Sequence, residues 1–156
     1  MARHVYFAFH YQRDIWRVNV VRNSNVVECF EYAGFIDSSL WEEARRKGDE
    51  AIKRLINDGL SGTSVTVVLI GARTSEREYV DYEIKQSWKR GNGLIGVYIH
   101  NIEDRSGLTD TKGNDPFVAN GYKGIKTYDW VYDDGYSNLG DWVDAAFERA
   151  KRRSSA

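Results

Sequence analysis

Glu83 is the side chain in this sequence best placed to do chemistry. The segment Leu69-Ile70-Gly71-Ala72-Arg73-Thr74-Ser75-Glu76-Arg77-Glu78-Tyr79-Val80-Asp81-Tyr82-Glu83-Ile84 leads an apolar strand into a helix announced by Ser75 and Glu78, which have the spacing of a capping box. On a helix of 3.6 residues per turn, Val80, Ile84, Ser87 and Trp88 form a buried seam, while Tyr79, Glu83 and Gln86 line the adjoining shoulder. Glu83 is therefore expected two turns into the helix, at the border of core and cleft. A carboxylate held there is partly desolvated and still meets a ligand, the setting in which fixed negative charge does most for a cationic transition state. The alternative reading of the same pattern is an ordinary glutamate on the solvated face of a charged helix.

Other familiar chemistries lack their residues. No Gly-x-x-x-x-Gly-Lys-Ser/Thr loop is present to wrap a phosphate in backbone amides. A dinucleotide fingerprint needs Gly-x-Gly-x-x-Gly between the first strand and helix, where this chain has His10-Tyr11-Gln12-Arg13-Asp14. A phosphate-accepting receiver domain needs an aspartate ending the third strand, which here ends Leu69-Ile70-Gly71. His4, His10 and His100 are the only imidazoles and none has metal-ligand spacing with Cys29, so no metal site is expected. No Gly-x-Ser-x-Gly elbow supports a serine nucleophile.

The elements that must position Glu83 follow from hydrophobic period. Residues 4–9 are β-branched and aromatic and read as a strand, followed by a helix carrying Ile15, Val18 and Arg22. Residues 26–30 suggest a short strand, with Gly34 breaking the pattern. Ser39 and Glu42 form a capping box for one long helix whose stripe, Ala44, Gly48, Ala51, Ile52, Leu55, Ile56 and Leu60, ends near Gly59. Residues 64–70 are almost continuously apolar, as in a central parallel strand covered on both faces. The helix bearing Glu83 runs to Arg90, Gly91-Asn92-Gly93 turns, and residues 94–99 form another buried strand. Residues 100–124, with Gly107, Gly113, Pro116 and Gly121, read as a surface loop or irregular insert. Residues 125–132 hold a last strand, Asp133-Asp134-Gly135-Tyr136 a turn, and residues 138–149 a final helix. Strands alternating with helices predict an α/β fold, an open parallel sheet covered by helices on both faces. Ligands then bind beyond the carboxyl ends of the strands, after Phe9, Ile70 and Ile99.

Bulk properties narrow the partners. At 156 residues a single domain spanning 1–156 is expected. With 22 basic against 23 acidic side chains, the net charge of −1 supplies no drive toward nucleic acid or an anionic membrane, so small or neutral partners are favoured. The single Cys29 cannot form an internal disulfide, and the first residues enter an apolar run too short for a signal peptide or a membrane span. The expectation is a cytoplasmic protein. Aromatic residues at 13% supply rings suited both to cores and to stacking on bases.

Seven blocks stand in order along the chain: Val5-Tyr6-Phe7-Ala8-Phe9-His10-Tyr11, Arg17-Val18-Asn19-Val20-Val21-Arg22-Asn23, Asp37-Ser38-Ser39-Leu40-Trp41-Glu42, Thr66-Val67-Val68-Leu69-Ile70-Gly71, Tyr82-Glu83-Ile84, Tyr128-Asp129-Trp130-Val131 and Asp133-Asp134-Gly135-Tyr136. Together they resemble the TIR-like family of prokaryotic proteins, and within it the TIR-like subunit of Thoeris anti-phage defence. The resemblance implies a flavodoxin-like TIR fold. It implies NAD as substrate, with no added cofactor, and a cyclic ADP-ribose isomer as product, a diffusible nucleotide that activates a separate effector after a phage-derived trigger. It also implies self-association for activity.

In that family a glutamate in the helix after the third strand lies within Ser-x-x-x-Trp-x-x-x-Glu, matched here by Ser75, Tyr79 and Glu83. Tyr79 replaces the tryptophan and can still stack, and Ala8 stands where relatives often have serine. Loss of nicotinamide develops oxocarbenium character at the ribose, which a fixed carboxylate stabilises. Adenine or a ribose hydroxyl of the same molecule then attacks in place of water, held by stacking on Tyr79, Phe9 or Tyr11, while His10 and Arg73 face the pyrophosphate. Two other readings share the fold: a NAD hydrolase releasing linear ADP-ribose, and a non-catalytic interaction module in which Glu83 is a surface charge.

Overall fold

A computed structural model describes residues 3–155. Five parallel strands, β1 (His4–Ala8), β2 (Tyr32–Phe35), β3 (Val65–Ile70), β4 (Gly93–Tyr98) and β5 (Lys126–Asp129), form one sheet in the order β2-β1-β3-β4-β5. Between them run α1 (Ile15–Arg22), α2 (Asn25–Glu28), α3 (Ser38–Lys47), α4 (Asp49–Leu60), α5 (Val80–Arg90) and α6 (Pro116–Ala119), and α7 (Gly135–Ser155) follows β5. This is the flavodoxin-like strand order, and the expected α/β class with a helix-covered parallel sheet is borne out. Among the described residues no helix is long and apolar enough to cross a membrane.

The two central strands are buried along their whole length, which explains their unbroken apolar sequence. Alternation along β3 divides the core. Val65, Val67 and Leu69 share a cluster with Leu139 and Val143 of α7, while Val68 and Ile70 pack with Val80 and Ile84 of α5. The chain leaves β1 toward β2 on one side and returns to β3 on the other, so the carboxyl ends of β1 and β3 flank a topological switch point. A crevice is expected there.

Four local expectations differ from the structure. Residues 25–28 are helical, and the edge strand is Tyr32–Phe35 with Gly34 inside it, because pairing of Tyr32, Ala33, Gly34 and Phe35 with β1 overrides weak local preference. The long helix is two helices parted by Gly48 at φ +114. Arg45, Arg46 and Lys47 end the first and Asp49 and Glu50 begin the second, each set complementing the helix dipole it faces.

The helix after β3 begins at Val80, not at Ser75. The Thr74 hydroxyl accepts from the Gly71 N–H at 2.8 Å and draws Thr74–Glu76 into a 3-10 turn, after which Arg77 is extended at ψ 131. The Ser75–Glu78 capping box is therefore not made, and Glu83 sits in the first turn of α5. The predicted final strand and helix are present as β5 and the longer α7, and of the two readings of residues 100–124 the irregular insert holds rather than the free surface loop. These residues include α6, and α1 with the turn before it clamps them: Arg13 holds the Asp110 carboxylate at 2.7 and 3.2 Å, and Arg17 donates to the carbonyls of Ile102 at 2.7 Å and Leu108 at 2.9 Å.

Candidate active site

Glu83 is in the core rather than on a shoulder. The residue is 0 % exposed, whereas Trp88, expected in the buried seam, is exposed. Glu83 and Ser87 are one turn apart on the sheet-facing side of α5, and their partners are neighbours on the sheet. Tyr6 of β1 pairs in register with Thr66 of β3; the Tyr6 hydroxyl donates to Glu83 Oε2 at 2.5 Å, and Thr66 shares a 2.7 Å hydrogen bond with Ser87. The result is a polar seam between helix and sheet.

The other oxygen of Glu83, Oε1, is held by Arg77 Nη1 at 2.5 Å. Arg77 lies over the Trp41 ring with its guanidinium carbon 4.3 Å from the ring centroid. Burial pushes the Glu83 carboxyl above its ordinary value, and Arg77 and the Tyr6 hydroxyl oppose that shift. A carboxyl with a raised folded pKa contributes stability below its ordinary 4.5 and loses it as pH rises through the folded value. Burial thus makes its charge a cost that its two partners offset in part.

Beyond the carboxyl ends of β1 and β3 lie two hollows. One, of about 360 Å³, is lined by His10, Arg13, Arg73, Glu76 and Arg77. The other, of about 210 Å³, has Tyr11, Trp41 and Tyr79 among its lining residues. His10 and Arg77 line both, so the hollows meet at these two side chains. The first wall is cationic and the second aromatic, an arrangement suited to a molecule with a charged middle and flat ends.

The rings are fixed by their polar tips. Tyr11 stacks on Trp41 at 5.4 Å and donates to Glu42 Oε1 at 2.9 Å. Tyr79 donates to Asp49 Oδ1 at 2.6 Å, which pushes the phenol up to about 12 and ties the connector before α5 to the start of α4. Arg73 is exposed and paired with Glu76 at 3.0 Å. Phe9 is buried against Phe35, with ring centroids 6.0 Å apart, and lines neither hollow. Ser75, on the 3-10 turn, lines neither as well. Glu83 is not a lining residue of either hollow, although its partner Arg77 lines both.

Sequence reasoning missed Arg77, Tyr6 and Trp41. Tyr6 stands 77 positions from Glu83, a distance at which only the parallel pairing of β1 with β3 brings them together. Arg77 precedes Glu83 by six positions, a spacing that no helix would bring into contact. Among the described residues no group of three or more His, Cys, Asp or Glu is placed to hold a metal ion.

His10 yields a pH prediction. Burial lowers its pKa below 6.5, although Asp14 opposes the shift. A depressed folded pKa contributes stability that is fully present above the unfolded value and is lost as pH falls through the folded one. Burial lowers His100 in the same direction, so the comparison must isolate one imidazole. The stability of wild type relative to His10→Gln is expected to be constant above pH 7 and to decline as pH drops below about 6.5. Thermal melts of both proteins from pH 5 to 8 check this, and a difference that grows on acidification would contradict it.

Residues 6–104 match the family described as Thoeris protein ThsB, TIR-like domain. A curated relative from Bacillus cereus (strain MSX-D12), named "Putative cyclic ADP-D-ribose synthase ThsB1", is 38% identical over an alignment of 192 residues that takes in 92% of this chain and 100% of the relative. Together with the strand order and the glutamate-bearing helix after β3, these similarities mean that the chain belongs to the TIR-like family of the Thoeris protein ThsB.

Proposed function

We propose that this protein cleaves NAD and closes the remaining ADP-ribose on itself, releasing a cyclic ADP-ribose isomer as a signal in anti-phage defence. The observation that carries the reading is the setting of Glu83: a buried carboxylate anchored by Tyr6, at the switch point of the sheet, directly behind a cleft with one cationic and one aromatic wall. The relative named a cyclic ADP-D-ribose synthase supports the same chemistry.

The bond between ribose C1′ and the pyridinium nitrogen breaks, and nicotinamide departs neutral with the bonding pair. Positive charge develops at C1′, where the Glu83 carboxylate stabilises it and orients the ribose hydroxyls. A nitrogen of the same molecule's adenine then bonds to C1′ and closes the ring; where a hydroxyl attacks instead, its proton is released. Tyr11 and Tyr79 hold the flat ends by stacking, with His10 and Arg73 beside the pyrophosphate. Phe9 acts as packing behind this wall, and Ser75 belongs to the turn that sets the connector. Association of protomers completes the site, a phage-derived trigger switches it on, and the product reaches its effector by diffusion.

The test is incubation of the protein with NAD, with and without extract of infected cells, followed by chromatographic and mass analysis. A product with the mass of ADP-ribose less one water is expected. Linear ADP-ribose alone would make the protein a hydrolase, and no consumption of NAD under any condition, in monomeric or associated protein, would leave a non-catalytic interaction module.

A further inference from the structure

Arg77 has donors to spare. Its side chain is only 7 % exposed, its Nη1 is held by Glu83 Oε1, and its Nη2 is buried without a hydrogen-bond partner. An unsatisfied cationic N–H is costly in a folded interior, and such a group marks a place where a ligand completes the bonding. Arg77 lines both hollows and shares the larger with His10, Arg13 and Arg73. Arg13 is already taken up by Asp14 and Asp110, and Arg73 is an exposed side chain paired with Glu76. Arg77 is therefore the buried cation with unspent donors that faces the cleft.

The two partners of Glu83 are not equivalent. Tyr6 is a fully buried residue of an interior strand and has no route to the cleft. Arg77 is an extended residue in the connector between a 3-10 turn and α5, at the cleft wall. If the guanidinium turns outward, Glu83 keeps its bond to Tyr6 through Oε2 and presents a bare Oε1. A planar guanidinium binds two phosphate oxygens side by side, which a carboxylate already held by a second donor cannot match in charge.

Resting on the proposed NAD chemistry, we infer that Arg77 is the pyrophosphate-binding residue of the cleft and the gate on Glu83: a dinucleotide's phosphates draw the guanidinium from the carboxylate and so expose it to the ribose. The free protein keeps its catalytic charge masked, and the charge is released only beside a molecule that carries phosphates next to the sugar. Selection for a pyrophosphate-bearing substrate and activation of the carboxylate are then one event.

Calorimetric titration with ADP-ribose, a ligand that needs no turnover, tests this on wild type, Arg77→Gln, Arg77→Lys and Glu83→Gln, each verified as folded by thermal unfolding. Arg77→Gln is expected to weaken ADP-ribose binding at least 10-fold, and Arg77→Lys, which keeps the charge without the fork, several-fold. Glu83→Gln removes the competitor for the guanidinium and is expected to tighten binding by 3-fold or more. Adenosine, which lacks phosphates, is expected to bind all four alike. Opposite signs from the two halves of one ion pair are not the result of a merely structural contact, in which both substitutions weaken binding.

Equal affinities in wild type and both Arg77 variants, weakening by Glu83→Gln, or no binding of ADP-ribose at millimolar concentration by any of the four would overturn the inference. Where Arg77→Gln does not fold, Arg77→Lys carries the test. The outcomes separate from those of the function itself. Opposite signs in a protein that never consumes NAD would leave the anion site standing and remove the enzyme, whereas turnover with unchanged affinity in the Arg77 variants would do the reverse.

Discussion

Glu83→Gln is expected to cut NAD turnover by at least ~10²–10³-fold, the loss typical when one preorganised group facing transition-state charge is removed. Glutamine has nearly the same shape, so the change isolates the charge. The loss should fall on kcat, with KM unchanged or lower, because in the proposed mechanism the carboxylate meets developing positive charge at the ribose, and in the free protein it holds Arg77. The substitution also has a structural cost. Tyr6 and Arg77 both donate to Glu83, and glutamine offers only one acceptor oxygen to the two donors.

Breaking a buried ion pair from one side costs about 3–5 kcal/mol, and Arg77 at the cleft wall can turn toward water, which places this case near the lower end. A fall in Tm of roughly 6–12 °C follows for a chain of this size. Kinetics on both proteins at a temperature where each is fully folded separate the two effects. Turnover by Glu83→Gln within about 10-fold of wild type would remove Glu83 from the chemistry, since no fixed charge worth that little carries such a bond cleavage.

The parts of the fold that were legible are those whose environment is uniform along the element. β3 and β4 are covered on both faces and read as unbroken apolar runs, and the α5 seam of Val80, Ile84 and Ser87 shows its period because one face meets the sheet. The edge strand was not legible, since Tyr32–Phe35 owes its state to pairing with β1, which no local pattern announces. The break at Gly48 was written in the charges: three cations, a glycine and two acids mark two dipole ends meeting, and the apolar stripe running past them concealed it.

At the candidate site, the helix that carries Glu83 was legible, and the burial and partners of its carboxylate were not. The position of Ser75, Tyr79 and Glu83 at intervals of four assumes a continuous helix, and the competition of the Thr74 hydroxyl for the Gly71 N–H ends that assumption. The consequence is chemical as well as geometric. By starting α5 at Val80, the chain leaves Arg77 free of helical register and able to fold back on the carboxylate of the first turn.

An equally large effect on stability is expected away from Glu83, at Gly113. A Cβ built there would stand 2.1 Å from the carbonyl oxygen of Gly71 and 3.0 Å from the carbonyl carbon and oxygen of Ala72. These are backbone atoms at the exit of β3, and that exit is pinned by the Gly71 N–H to the Thr74 hydroxyl, so neither side yields cheaply. Gly113→Ala is expected to cost about 3 kcal/mol, the upper part of the range for inserting one carbon into a packed interior, and to lower Tm by roughly 6–12 °C. The strain falls on residues 100–124, because the alternative is to move β3 itself. Lifting this segment pulls Asp110 from Arg13 and the carbonyls of Ile102 and Leu108 from Arg17, so the damage reaches the cationic wall of the cleft, which Arg13 lines. Hydrogen exchange should show the largest loss of protection in residues 100–124, while the slowest amides of β3 and β4 lose only what the fall in global stability takes from them. A Tm within about 2 °C of wild type would mean that the segment can step away from β3 without loss, and that its clamping by α1 and the turn before it contributes little to the site.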